Sequence, residues 1–287
     1  MRGLLIAVLL SAATFAQNAD ERREYLAFLE TLDATKASST LLAADKYVTL
    51  ATAATDEVRA AMFVDFWNHY QTVLRNGAII DYNDTEATDA VLAYLTGQEN
   101  PRGEELTREI ERNGYAALTV EGVDVYVDRD AQWIIDKCGA VLPAAIREWL
   151  EILAYEDEHP LYVEVYYLLG NAEALMAKYA VFFERRHDFI LRDEAYVAYL
   201  SAQIAYFSNY DMYDMDYGLM KFDETGTLTD EAKTMYENFV ADNPDNEAGK
   251  IVAEYLGLLE QNNFQYEGEP EKYVDAIVEE YASYVDY

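Results

Sequence analysis

Residues 55–77 read TDEVRAAMFVDFWNHYQTVLRNG, and this stretch decides the fold class. Val58, Met62, Phe66, Tyr70 and Leu74 recur every four residues, with Phe63 and Trp67 beside them. That spacing lays a broad apolar stripe along one side of a helix, and such a stripe needs a packed core to cover it. Thr55 is a good N-cap, Asp56 and Glu57 suit the positive end of the helix, and Gly77 is a stop. His69 follows Asp65 by four residues, so both fall on one face. Two ligands without a third do not make a metal site, and His69 reads as a surface or hydrogen-bonded histidine.

Helical signals continue on both sides. Residues 20–33 place Tyr25, Leu26, Leu29 and Leu32 on one face. Ser38 to Thr40 open a second helix carrying Leu41, Leu42, Tyr47, Val48 and Leu50. Downstream, Thr85 caps a short helix over Glu86–Leu95, and another runs from Glu104 to Arg112, stopped by Gly114. Leu118, Val120, Val123, Val125 and Val127 then alternate with polar residues around Glu121–Gly122, which predicts one small β-hairpin near 117–127. Asp130 caps the next helix, and Pro143 suits the first turn of the one after it. YEDEHP (155–160) reads as a loop whose Glu156, Asp157, Glu158 and His159 are solvated. After Pro160 the pattern predicts two helices broken at Gly170–Asn171, with Asn171 as N-cap.

A repeat is suggested next. Tyr179, Phe182 and Asp188 recur at the same spacing as Tyr236, Phe239 and Asp245, and Tyr-Leu pairs follow at 199–200 and 255–256. Physically this is helix, polar loop, helix, stacked twice. The spacing of Ala232, Tyr236, Phe239 and Pro244 resembles the second helix of a tetratricopeptide repeat. Phe239 stands where that family has a small residue, and residues 216–223 (DYGLMKFD) carry no first-helix pattern. The resemblance covers half of one repeat and implies helix-hairpin packing. A final helix starts near Pro270.

The fold expected is mainly α: stacked antiparallel helical hairpins, in an α-solenoid-like or irregular array. The organisation read from sequence is a signal peptide over 1–16, an N-terminal helical region over 17–113, a β-hairpin divider over 114–128 and a C-terminal helical-hairpin region over 129–287. In the signal, Arg2 precedes an apolar run from Leu4 to Leu10, followed by small residues. Cleavage after Ala16 leaves Gln17 first, with Ala13 as the alternative site, so the chain is expected to be secreted or periplasmic. Val165 to Phe183 is apolar but carries Asn171, Glu173 and Lys178, so no integral membrane segment is expected in the mature chain.

Composition narrows the partners. The 287 residues hold 54 Asp and Glu against 21 Lys and Arg, for a net charge of −33. Such a surface repels nucleic acid and anionic membranes and favours cations and basic partners. The single cysteine, Cys138, cannot form an intrachain disulfide, so the core must hold the fold. It reads as a small buried side chain at the end of an apolar helix, with a bridge to another chain as the alternative.

Chemical motifs are few. No phosphate-binding loop, dinucleotide glycine pattern, zinc-protease helix or nucleophile elbow occurs. Residues 209–218 (NYDMYDMDYG) are the oddest in composition. Asp211, Asp214 and Asp216 present oxygen ligands at i, i+3 and i+5, a spacing able to converge on calcium, although no EF-hand pattern is present. Interleaved Tyr210, Tyr213 and Tyr217 offer a stacking wall for a sugar or a basic peptide. The plainer alternative packs these tyrosines under the loop and leaves the aspartates in water. Asn83–Asp84–Thr85 is a glycosylation sequon. The reading that follows is a non-enzymatic binding or scaffold protein for a protein, peptide or glycan. The rival is an extracytoplasmic hydrolase working through carboxylates.

Overall fold

The computed structural model describes residues 20–76, 79–82, 84–120, 122–163, 166–208 and 221–285. Among them the chain is mainly helical, with small antiparallel strand pairs. The helices are α1 (20–29), α2 (Ser38–Ala51), α3 (Asp56–Arg75), α4 (Thr85–Leu95), α5 (Pro101–Arg112), α6 (Ala131–Cys138), α7 (Ala144–Glu158), α8 (Leu169–Arg185), α9 (Arg192–Phe207), α10 (Asp230–Asp242), α11 (Glu247–Gln261) and α12 (Glu269–Val285). The strands are β1 (Tyr115–Val120) with β2 (Asp124–Arg129), and β3 (Tyr162–Val163) with β4 (Tyr166–Tyr167). The chain forms two compact units, one ending at Glu151 and one starting at Ile152, and the division falls inside α7.

In the first unit α3 is the centre, as its stripe predicts. Met62, Phe63, Phe66, Trp67, Tyr70 and Val73 are buried. The partner face of α2 differs from the one its leucines suggest. Ala43, Ala44, Tyr47 and Ala51 are buried, while Leu42 is half exposed. Small side chains let α2 approach α3 closely, and Tyr47 fills the gap against Phe63 and Phe66, with ring centroids 6.0 and 6.2 Å apart. Thr55 takes the extended N-cap conformation without a side-chain cap bond to the helix. Glu57 bonds its own amide and the Thr55 hydroxyl instead, which holds its carboxyl below the usual range. For α4 the cap is Asp84, one residue before the expected Thr85, and its carboxylate accepts from the Ala87 amide at 3.1 Å.

The hairpin forms where the alternation predicts, with Leu118 opposite Tyr126 and Thr119 opposite Val125. It packs with the helices before it, α3, α4 and α5. Tyr70 ties its base: the hydroxyl donates to Gly114 O at 2.7 Å and accepts from the Asp130 amide at 2.9 Å. Gly114 has φ +90 and lies so close to the Trp133 ring that a Cβ there would come within 2.6 Å of it, so glycine is required. Asp130 then caps α6 as expected, accepting from the Trp133 amide at 2.8 Å.

The second unit pairs sequence neighbours, α8 with α9 and α10 with α11, and α12 packs on α9 and α11. Tyr179, Phe182, Tyr236 and Phe239 of the suggested repeat are buried, while its Asp188 and Asp245 are exposed. α10 opens its hairpin rather than closing one, so the tetratricopeptide order is not reproduced. The expectation of two helices broken at Gly170–Asn171 is corrected. Residues 162–163 pair with 166–167 as β3–β4, the Leu168 amide bonds Leu161 O at 2.8 Å, and a single helix then starts at Leu169. Asn171 does not cap it; its side-chain amide donates to Pro160 O at 2.8 Å. The turn at Gly226 and the helix cap at Thr229, which the stretch FDETGTLTDEA (222–232) signals in sequence, are present, the latter accepting from the Ala232 amide at 3.3 Å.

A buried lysine closes the end of α9. The last four carbonyls of a helix have no partner within it, and here that end is buried. Tyr236 donates to Tyr206 O at 3.2 Å and Tyr255 to Phe207 O at 3.3 Å. Lys221 Nζ reaches Ala205 O at 3.4 Å, Tyr206 O at 3.2 Å and the carbonyl of Ser208. A cation at the negative end of a helix is favourably placed.

Candidate functional site

A cleft opens in the first unit between the 79–82 segment, the start of α4 and one face of α5. Its volume is 190 Å³. Local sequence explains the frame. Asn100 caps α5 by accepting from the Gly103 amide at 3.0 Å, and Pro101 stands at its first position. Gly103 faces α4 so closely that a Cβ would lie 1.9 Å from Ala90 O, so only glycine permits this approach. With α5 so placed, Arg102, Leu106, Glu109 and Ile110 fall on the side lining the cleft. The buried Ile80, Ala87 and Ile110 supply apolar wall.

The mouth is charged. Arg102 bonds Glu86 at 3.1 Å and Asp84 at 3.4 Å, which joins the first turns of α4 and α5. Asp81, Asp84 and Glu109 line the cleft with this one guanidinium, so its rim is acidic. No His or Cys lines it. Tyr82, next to Asp81, accepts from the Val127 amide at 3.2 Å and so connects the cleft segment to the hairpin. The outer hairpin face exposes Leu118 and Tyr126, which sit opposite one another, and Val123 at the turn is 62% exposed.

The residues singled out from sequence fare differently. Tyr210, Asp211, Tyr213, Asp214, Asp216 and Tyr217 lie outside the described residues, as do Asn83 and the 1–16 segment. Glu156, Asp157 and Glu158 belong to the last turn of α7, not to a loop. His159 stacks on Tyr155 at 4.1 Å and its Nδ1 lies 3.0 Å from Tyr155 O. Among the described residues no group of three or more His, Cys, Asp or Glu is arranged to hold a metal ion. His69 is half buried, its Nε2 lies 3.1 Å from the Ser39 hydroxyl, and burial pushes its pKa down. Asp65 does not pair with it, because Arg22 binds that carboxylate through two nitrogens at 2.8 and 3.0 Å. Cys138 is fully buried, and desolvation pushes its thiol up to about 12, far from a reactive thiolate. Among the described residues no helix is long and apolar enough to cross a membrane.

The tyrosines are the main surprise. Tyr25, Tyr47, Tyr70, Tyr115, Tyr236 and Tyr255 are fully buried, their hydroxyls on main-chain carbonyls or a neighbouring hydroxyl. They build the interior and do not supply a tyrosine-rich surface. The cleft went unnoticed in the sequence because α5 carries few apolar residues and its acids resemble every other solvated acid in the chain. No family model matches this chain, and no curated protein or solved structure matches it either.

Proposed function

We propose that the chain is an exported, acidic, non-enzymatic binding protein that takes a segment of a peptide or protein partner on its first unit. The cleft is the observation that supports this reading. Small-molecule and cofactor pockets usually exceed about 300 Å³. At 190 Å³ the cleft suits one anchoring side chain, and the exposed Leu118 and Tyr126 offer further apolar contact nearby. The test is a selection of random displayed peptides on the mature chain, followed by amide hydrogen exchange. Selected peptides are expected to protect residues 79–82 and 101–112. Selected peptides that protect only other regions would remove the cleft from the reading. Export is checked separately by N-terminal sequencing, with Gln17 expected first.

A second reading, an extracytoplasmic hydrolase working through carboxylates, draws on Glu173. Burial, with Asp242 nearby, pushes its pKa up, the direction a general acid needs. Loss of a measured hydrolytic activity in Glu173→Gln would support that reading, and full retention would end it.

A further inference from the structure

We infer that the cleft accepts the side chain of a partner lysine, with the aliphatic stem inside and the ammonium at the acidic mouth. This rests on the binding reading above. Three observations converge on it. Ile80 and Ile110 are buried in the wall and Leu106 lines it with them, which matches a chain of methylenes. Glu109 lies at the exposed end of that wall and makes no ion pair among the described residues. Among the described residues the one cation at the mouth is Arg102, and it is already matched by Asp84 and Glu86. An anionic ligand would have to displace two carboxylates from Arg102. A purely apolar side chain would cover the wall and leave Glu109 partly stripped of water without a partner. An ammonium satisfies both requirements, and the net charge of −33 draws cations toward the surface.

The test uses the full chain with methyl-labelled isoleucine and three probes: N-acetyl-lysine methylamide, its norleucine counterpart and its glutamate counterpart. Titration at millimolar concentration is followed at the Ile79, Ile80 and Ile110 methyls. The lysine probe is expected to shift these signals and to bind about fivefold more tightly than norleucine, the scale of one charged contact at a wet rim. Glu109→Gln should remove most of that preference, by weakening the lysine probe and by lifting the desolvation that norleucine imposes on the carboxylate. Glu109 is exposed, so this variant is expected to fold as the parent does. Raising salt to 0.5 M, a choice that shortens the screening length to about 4 Å, should weaken the lysine probe alone. Equal binding of lysine and norleucine, or tighter binding of glutamate, overturns the lysine inference while the cleft remains a binding site. No shift at any of these methyls with any probe overturns both.

Discussion

Replacing Lys221 by Met should cost the second unit about 2–3 kcal/mol, and the sum can be built from the end of α9. The ammonium serves the carbonyls of Ala205, Tyr206 and Ser208. Methionine keeps most of the stem and packs in its place. It removes the donors, and hydrogen bonds from a charged group are worth about 1.5–3 kcal/mol each, before the gain from no longer burying a charge is subtracted. Tyr206 O keeps the Tyr236 hydroxyl at 3.2 Å, so one acceptor of the three is protected. This shared acceptor gives the reasoning a sharper edge. Lys221→Met with Tyr236→Phe should cost about 1 kcal/mol more than the sum of the single changes, since only the double variant strips that carbonyl of both donors. The assay is urea unfolding followed by far-ultraviolet circular dichroism. Tryptophan fluorescence is unsuited, because Trp67, Trp133 and Trp149 all lie in the first unit. Amide exchange at Phe207 and Ser208 adds a local readout, expected to accelerate. A Lys221→Met variant within about 0.5 kcal/mol of the parent, with unchanged exchange there, would refute the capping role.

Other outcomes follow from the same geometry. Tyr70→Phe should destabilise the first unit by about 2 kcal/mol, because Gly114 O and the Asp130 amide lose their shared hydroxyl; thermal unfolding measures it. Cys138 should stay unmodified by a thiol reagent in the native protein and react fully in denaturant, since its thiol is buried and pushed up to about 12. Glu173→Gln should raise stability at neutral pH and leave it unchanged near about pH 3. The sign follows from its raised folded pKa: the favourable contribution is present while the carboxyl is protonated and is lost as pH rises through the folded value. Paired melts at the two pH values check it, and equal effects at both would contradict the assignment.

What could be read from sequence follows a physical division. Local signals were legible where one residue does one local job. Asp130 and Thr229 cap their helices, Gly226 turns the chain, and the β1–β2 alternation forms in register. The α3 stripe was legible because a whole helix face repeats it. Signals failed where tertiary context chose between equal local options. α2 buries alanines over Leu42 because close approach to α3 outweighs side-chain size. The break before α8 fell earlier than Gly170, because Leu168 is extended and its amide pairs with Leu161 O. Lys221 gave no local signal at all: a lysine in a polar stretch reads as solvated, and only the buried end of α9 gives it a task. The cleft is of the same kind, since Gly103 matters only through the carbonyl of Ala90 across from it.

The interior and the surface place opposite demands on this chain, and salt should reveal the balance. Inside, aromatic rings carry the core, and the hydroxyls of Tyr25, Tyr47, Tyr70, Tyr115, Tyr236 and Tyr255 reach carbonyls in contacts that do not respond to ionic strength. The sequence holds 54 acids against 21 bases, so most acids have no basic partner to pair with. Ion pairs such as Lys46–Glu24 at 2.5 Å and Arg108–Glu104 at 2.5 Å each join a partly exposed side chain to a more exposed one. Each is worth at most about 1 kcal/mol, and salt weakens it. Repulsion among the excess carboxylates acts over longer distances, and salt weakens that more. Going from about 0.01 to 0.15 M shortens the screening length from about 30 to 8 Å. That removes most repulsion between carboxylates on different helices while leaving contact pairs partly intact. The melting temperature should therefore rise over this range, with sodium or potassium alike. A fall would mean that the surface ion pairs outweigh the repulsion, and that the aromatic interior is not what holds this acidic surface together.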